Sequence, residues 1–350
     1  MDWVCETVSY AARLSSRMAA RKSAKPLSGR VALVAGATRG AGRGIARALG
    51  EVGATVYCTG RSSRGGRVDR RRPETIEETA ELVDAAGGQG IAVRVDHLVE
   101  AEVARLCRRI GKEQGRLDVL VNDVWGGDDL TEWGKPFWKL DLEKGFAMMR
   151  TAIHSHVVTA KHAAPLILKG RNPLLVEITD GDGFAYRGTL FYDLVKTTVT
   201  RLAWDFHEEL ASKGVTSLAV TPGFLRSERM LEHFGVTEAN WRDGAKRDAG
   251  FAFSETPLFV GRAIAALAAD PGVAKKSGRV YASWTLAREY GFRDADGSRP
   301  DWGRYAEKAY PGMYRPADDA FYAYWEGYQA LKRALGGSVA PPEPATPGQG

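Results

Sequence analysis

The chain has 350 residues, 44% hydrophobic and 26% charged, proportions that fit a folded globular protein and exclude a disordered one. Three widely spaced cysteines (Cys5, Cys58, Cys107) form neither a metal motif nor a disulfide framework, so a reducing, cytoplasmic setting is expected and no metal. The charge of +6 gathers in residues 1–30 and in six arginines from Arg61 to Arg72, which excludes the basic body of a nucleic-acid binder, and no apolar run approaches the ~20 residues of a membrane span.

In chain order, residues 1–27 are basic and partly amphipathic without a continuous apolar core, and read as a flexible extension. A transit peptide or a true start at Met18 are the alternatives. A single domain is predicted over 28–335. Short β-branched runs predict strands at Val31–Ala35, Thr55–Thr59, Ile91–Val95, Val119–Asn122, Leu174–Thr179, Val215–Thr221 and Gly278–Tyr281. Between them, 3.6-residue periodicity predicts helices at Gly42–Val52, Glu74–Ala86, Glu100–Gln114, Lys144–Leu168, Thr197–Leu210 and Pro257–Ala269. Strand–helix alternation through seven strands predicts an α/β, Rossmann-type doubly wound parallel sheet with helices on both faces.

Residues 224–256 lack a clear strand and read as a helical insertion near a substrate site. Phe321, Tyr324, Trp325, Tyr328 and Leu331 follow helical spacing and read as a packing stripe. Residues 336–350 are predicted to be a disordered tail.

Gly36-Ala-Thr-Arg-Gly-Ala-Gly42 sits between the first strand and the first helix. Glycines there let the chain turn sharply and bring phosphate oxygens to amides at a helix N-terminus, which makes Gly36, Thr38, Arg39, Gly40 and Gly42 candidate dinucleotide ligands. The second strand ends in Gly60-Arg61 with no carboxylate for a ribose 2′-hydroxyl, whereas a guanidinium suits a 2′-phosphate. NADP(H) is therefore the expected cofactor, held by Arg61 with Arg39 opposite, and the arginines from Arg64 to Arg72 would add a positive field. Tyr192 and Lys196 stand four apart on one helical face, where the lysine charge is expected to lower the phenol's proton affinity.

Together with Asp96, Asn122 and Pro222-Gly223, these motifs resemble the short-chain dehydrogenase/reductase family in order and spacing over residues 28–290. The resemblance implies that Asp96 meets adenine, that Asn122, Pro222 and Gly223 line the cofactor, that Tyr192 is the general acid/base and that Lys196 also holds the nicotinamide ribose. It further implies a homodimer or homotetramer. Three departures stand out. Asp123 replaces a second asparagine, and Ala152 falls where the family has a helix asparagine, with His154 and His156 nearby. The serine position falls on Thr179 or Asp180. Thr179 is preferred, because an ionised aspartate would repel the developing alkoxide.

The implied function is NADP(H)-dependent hydride transfer to or from a small carbonyl or alcohol substrate, hydrophobic or aromatic in view of Trp125, Trp133, Phe137 and Trp138 after Asn122 and the aromatic insertion. A dinucleotide-binding sensor with weakened catalysis is the alternative, motivated by the altered serine and asparagine. A sugar-nucleotide epimerase fits less well, because its glycine spacing differs.

Overall fold

The computed structural model describes residues 25–66, 72–183, 185–312, 314–323 and 326–327. Seven parallel strands form one sheet in the order β3-β2-β1-β4-β5-β6-β7. They are β1 (Val31–Ala35), β2 (Thr55–Gly60), β3 (Gln89–Arg94), β4 (Val119–Asn122), β5 (Leu174–Ile178), β6 (Thr216–Thr221) and β7 (Val280–Ala282). The central strands β1, β4, β5 and β6 are buried at every position, because helices cover both faces. The chain order reverses between β1 and β4, so a crevice opens at their carboxyl ends, the place where this sheet class binds ligands.

The helices are α1 (Gly40–Glu51), α2 (Ile76–Ala85), α3 (Glu100–Gln114), α4 (Leu142–Met149), α5 (Ser155–Ile167), α6 (Leu190–Leu210), α7 (Glu228–Phe234), α8 (Pro257–Ala269), α9 (Ser283–Tyr290) and α10 (Trp302–Ala309). Ile45 and Leu49 of α1 share one core with Leu258 and Ile264 of α8 and Val34, Val121 and Val176 of the sheet. On the other face, Val103, Leu106 and Ile110 of α3 pack with Ala163 and Ile167 of α5.

Several boundaries differ from expectation for local reasons. The α2 helix starts at Ile76, not at Glu74, because Thr75 and Glu78 form a reciprocal capping box. The single helix expected over Lys144–Leu168 is two helices joined by a π-helical turn, Arg150–His154. The α6 helix begins seven residues before the expected Thr197, since Thr189 is extended and Tyr192 already lies in the first turn. The flexible extension must also be shortened: Leu27 is fully buried in the core, and the Lys25 ammonium donates to the Ala86 carbonyl.

Residues 224–256 fold as α7 and two 3₁₀ turns around Phe224, Phe234, Trp241 and Phe251. Tyr324, Trp325, Tyr328 and Leu331 of the aromatic stripe, and the expected tail 336–350, lie outside the described residues.

Candidate active site

The glycine loop is shaped by backbone against backbone. Gly36 has φ +92°, and a Cβ there would sit 2.4 Å from the Asp123 carbonyl oxygen. A Cβ on Gly42 would meet the Gly36 carbonyl oxygen at 2.4 Å and the Asp123 carboxylate at 2.9 Å. Arg39 precedes α1 in an extended conformation without a side-chain cap, which leaves the helix amides to find an external acceptor. The Gly40 amide finds one at 2.8 Å in a carboxylate oxygen of Glu228, the first residue of α7. That carboxylate stands where an anionic ligand of the loop would place an oxygen, so the cradle fits a dinucleotide diphosphate.

On the ribose side, Arg61 is exposed beyond the end of β2. The Arg39 Nε lies 3.9 Å from Glu74, Arg64 pairs with Glu81 at 2.8 Å, and Arg72 pairs with Glu232 of α7. Arg67, Arg70 and Arg71 lie outside the described residues. Thr38 is buried under the loop against Gly60, and Asp96 follows β3, its carboxylate accepting from the Leu98 amide at 3.0 Å. Gly223, after β6, donates its amide at 2.9 Å to Glu255, and Thr221 accepts from the Gly181 amide while donating to the Pro222 carbonyl. Burial pushes the Glu255 carboxyl up to about 8, against the opposing bonds from Ser283 and Gly223.

Tyr192, Lys196 and Asp180 meet at the carboxyl end of β5. The Tyr192 hydroxyl donates to Asp180 Oδ2 at 2.9 Å, and Arg187 lies 4.0 Å from the other Asp180 oxygen. The Lys196 ammonium rests 3.9 Å over the Trp125 ring and 5.4 Å from the Tyr192 ring centre. Thr179 is not the free donor the sequence suggested. Its hydroxyl turns away from Tyr192 and donates at 2.7 Å to the Lys196 backbone carbonyl, with Thr200 at 3.3 Å. The net shift on Tyr192 runs opposite to the lowering expected from the lysine. Burial first and the Asp180 carboxylate second hold the phenol well above its usual range, while burial lowers Lys196 despite Asp180, Asp123 and Asp128 around it.

Behind this corner lies a buried polar group. The Asn122 amide donates to Glu177 Oε1 at 2.7 Å and to the His156 carbonyl at 3.4 Å, leaving its own oxygen without a partner among the described residues. His156 Nδ1 lies 2.6 Å from Glu177 Oε2, and Nε2 lies 3.2 Å from the Val124 carbonyl. Asp123 is enclosed under the loop, where burial pushes it up to about 7 against Lys196, His156 and the Gly42 amide. Ala152 packs with Met148, Phe191 and Val195 and offers no polar atom, while His154 is exposed. The one sequence signal for this group was Glu177 itself, a carboxylate inside the apolar run Leu174–Ile178. Glu228 carried no signal, because its partner is a backbone amide 188 residues away.

The space beside Tyr192, between Leu130, Leu140 and Met148, is about 10 Å³, no more than one water needs. Trp125 meets Tyr192 edge-on at 5.6 Å and Trp133 tilts over it at 5.1 Å. Phe137 and Trp138 are exposed and pack on each other, and the insertion aromatics close on themselves instead of lining this space.

The short chain dehydrogenase family profile matches residues 30–235. A human protein, dehydrogenase/reductase SDR family member 1, is 34% identical over 278 residues, covering 78% of this chain and 86% of that protein. The 7alpha-hydroxysteroid dehydrogenase of Clostridium sardiniense is 28% identical over 210 residues, 60% of this chain and 76% of its own. A short chain dehydrogenase structure from Mycobacterium thermoresistibile superposes with TM-score 0.66 at 20% identity, over 79% of this chain and 92% of that one. A structure from Beutenbergia cavernae with NADP bound at low occupancy superposes with TM-score 0.58 at 23% identity, over 73% and 96%.

Proposed function

Because the chain belongs to the short-chain dehydrogenase family, we propose that it is an NADP(H)-dependent oxidoreductase acting on a carbonyl or alcohol substrate with hydrophobic or aromatic surroundings. The bond between Tyr192 and Asp180 beside Lys196 carries this reading. The Gly36–Gly42 loop would hold the diphosphate, Asp96 the adenine, Arg61 the 2′-phosphate, and Asn122, Lys196 and the Pro222-Gly223 turn the nicotinamide riboside. The bound cofactor supplies or accepts the hydride.

The protein's own part is control of one proton and one developing charge. In reduction, Tyr192 Oη releases its hydrogen bond to Asp180 and gives its proton to the substrate oxygen as charge builds there. Lys196 holds a positive charge next to the tyrosinate left behind. Asp180 takes the serine position, because the Thr179 hydroxyl is committed to the Lys196 carbonyl. Asp180 accepts the Tyr192 hydrogen bond and keeps that proton in place until the substrate oxygen takes it. Trp125 and Trp133 pack on the Tyr192 ring and fix its position.

The test is oxidation of NADPH and NADH with a panel of ketones and aldehydes. NADPH is expected to be preferred. Tyr192→Phe should lower turnover by about 10²-fold or more while leaving NADPH affinity unchanged. Full turnover by this variant with a true substrate would overturn the assignment.

A further inference from the structure

A cavity larger than the space beside Tyr192 lies away from it, between the insertion and α10. It measures about 450 Å³, within the range of small-molecule sites. One wall is aromatic. Phe253 and Tyr305 stack at 4.7 Å with planes 26° apart, and Phe253 keeps 42% of its surface exposed. Trp241 closes the base, held between Arg226 at 3.9 Å and Arg242 at 4.5 Å from its ring centre.

The rim is cationic. Arg242, Arg299, Arg304 and Lys308 line the cavity, against one carboxylate, Asp301. Asp301 is already engaged, capping α10 through the Arg304 amide and lying 3.6 Å from Arg288. Arg242 reaches Asp296 only at 3.9 Å, and Arg299 donates to the Gly291 carbonyl. Arg304 and Lys308 stand one helical turn apart on α10, and among the described residues neither side chain meets a carboxylate. Two unpaired cations side by side repel each other, and an anion between them relieves that repulsion.

We propose that this cavity binds an organic phosphate of mononucleotide size. Its planar ring adds to the Phe253–Tyr305 stack, and its phosphate bridges Arg304 and Lys308. A flat ring gains from stacking on an exposed aromatic face, and a phosphate carries enough charge and acceptor oxygens to bond a guanidinium and an ammonium at once. The site does not depend on the reaction proposed for Tyr192. It does touch the same framework, because Trp302 of α10 packs on Phe224 at 5.5 Å and fills the space beside Gly223.

Calorimetric titration of the full chain with adenosine 5′-monophosphate tests the proposal, with adenosine and inorganic phosphate titrated separately. The monophosphate should bind more tightly than either half. An Arg304→Gln/Lys308→Gln double variant should weaken it on the order of ten- to a hundredfold, the loss of one charge-assisted contact or more. Phe253→Ala should weaken it less, and NADPH affinity should not change in either variant. Both substituted cations are exposed and, among the described residues, unpaired, so the fold is not at stake. Binding no tighter than inorganic phosphate, or a double variant that binds as the wild type does, would overturn the proposal. So would preference for a single-stranded oligonucleotide, which would mark the rim as a nucleic-acid surface.

Discussion

The cofactor cradle and the reaction corner lie at the same edge of the sheet but are built from different materials. The cradle is backbone: a side chain on Gly36 would meet the Asp123 carbonyl and one on Gly42 the Gly36 carbonyl, and the groups the loop offers a ligand are helix amides. The corner is side chain: Asp180, Tyr192, Lys196, Trp125 and Trp133 come from three segments and depend on which rotamer each adopts. A backbone site tolerates little change and announces itself by spacing. A side-chain site can exchange partners while keeping its shape, and here it is Asp180, not Thr179, that bonds the Tyr192 hydroxyl.

Substitution at Asp180 and Thr179 tests that contrast most severely. Asp180→Asn removes the carboxylate that helps hold Tyr192 above its ordinary range, so the phenol should ionise at lower pH. In alcohol oxidation the basic form of Tyr192 is the active one, so the rising limb of kcat against pH should move acidward. In carbonyl reduction the falling limb should move the same way. If Asp180 has the serine's part, replacing it by Ala should cost about 10²-fold in kcat. Thr179→Ala should change kcat far less, since its hydroxyl serves a backbone carbonyl. The reverse ranking would return the serine role to Thr179.

At the ribose end, Arg61→Ala should weaken NADPH by about 1.5–3 kcal/mol, on the order of ten- to a hundredfold, with little effect on NADH. Equal binding of the two cofactors by the wild type would remove the basis for this expectation.

A smaller effect is expected where cradle and insertion touch. Glu228 holds the Gly40 amide, so a diphosphate bound there as proposed would have to displace it. Glu228→Gln keeps the shape but removes the charge at the helix N-terminus, and should tighten NADPH by about 1 kcal/mol, roughly fivefold. Stopped-flow binding would show the gain in the association rate; weaker binding would mean that Glu228 supports the loop instead of blocking it.

The last comparison is in stability. Glu255 sits at about 8 in the folded protein, far above the usual carboxylate range. Its contribution is fully present below the unfolded value and lost as pH rises through 8. Wild-type Tm should therefore fall between pH 5 and pH 9. Glu255→Gln keeps an acceptor for Ser283 and the Gly223 amide and should flatten that fall, leaving a residual slope from Asp123, which titrates near 7.

The sequence by itself determined the sheet, since runs such as Val31–Ala35 and Val119–Asn122 are legible from local composition and both match the strands residue for residue. It also determined the family, because glycine spacing and the Tyr192–Lys196 interval are properties of neighbouring residues. Tertiary structure alone decided which of Thr179 and Asp180 faces Tyr192, since adjacent residues after a strand point opposite ways and only packing against α6 selects between them. It also decided that the insertion aromatics form a small core of their own, that Leu27 belongs to the main one, and that Glu228 lies on the Gly40 amide. Each of these depends on contacts between different elements, 12 to 188 residues apart in the chain, where periodicity and spacing carry no information.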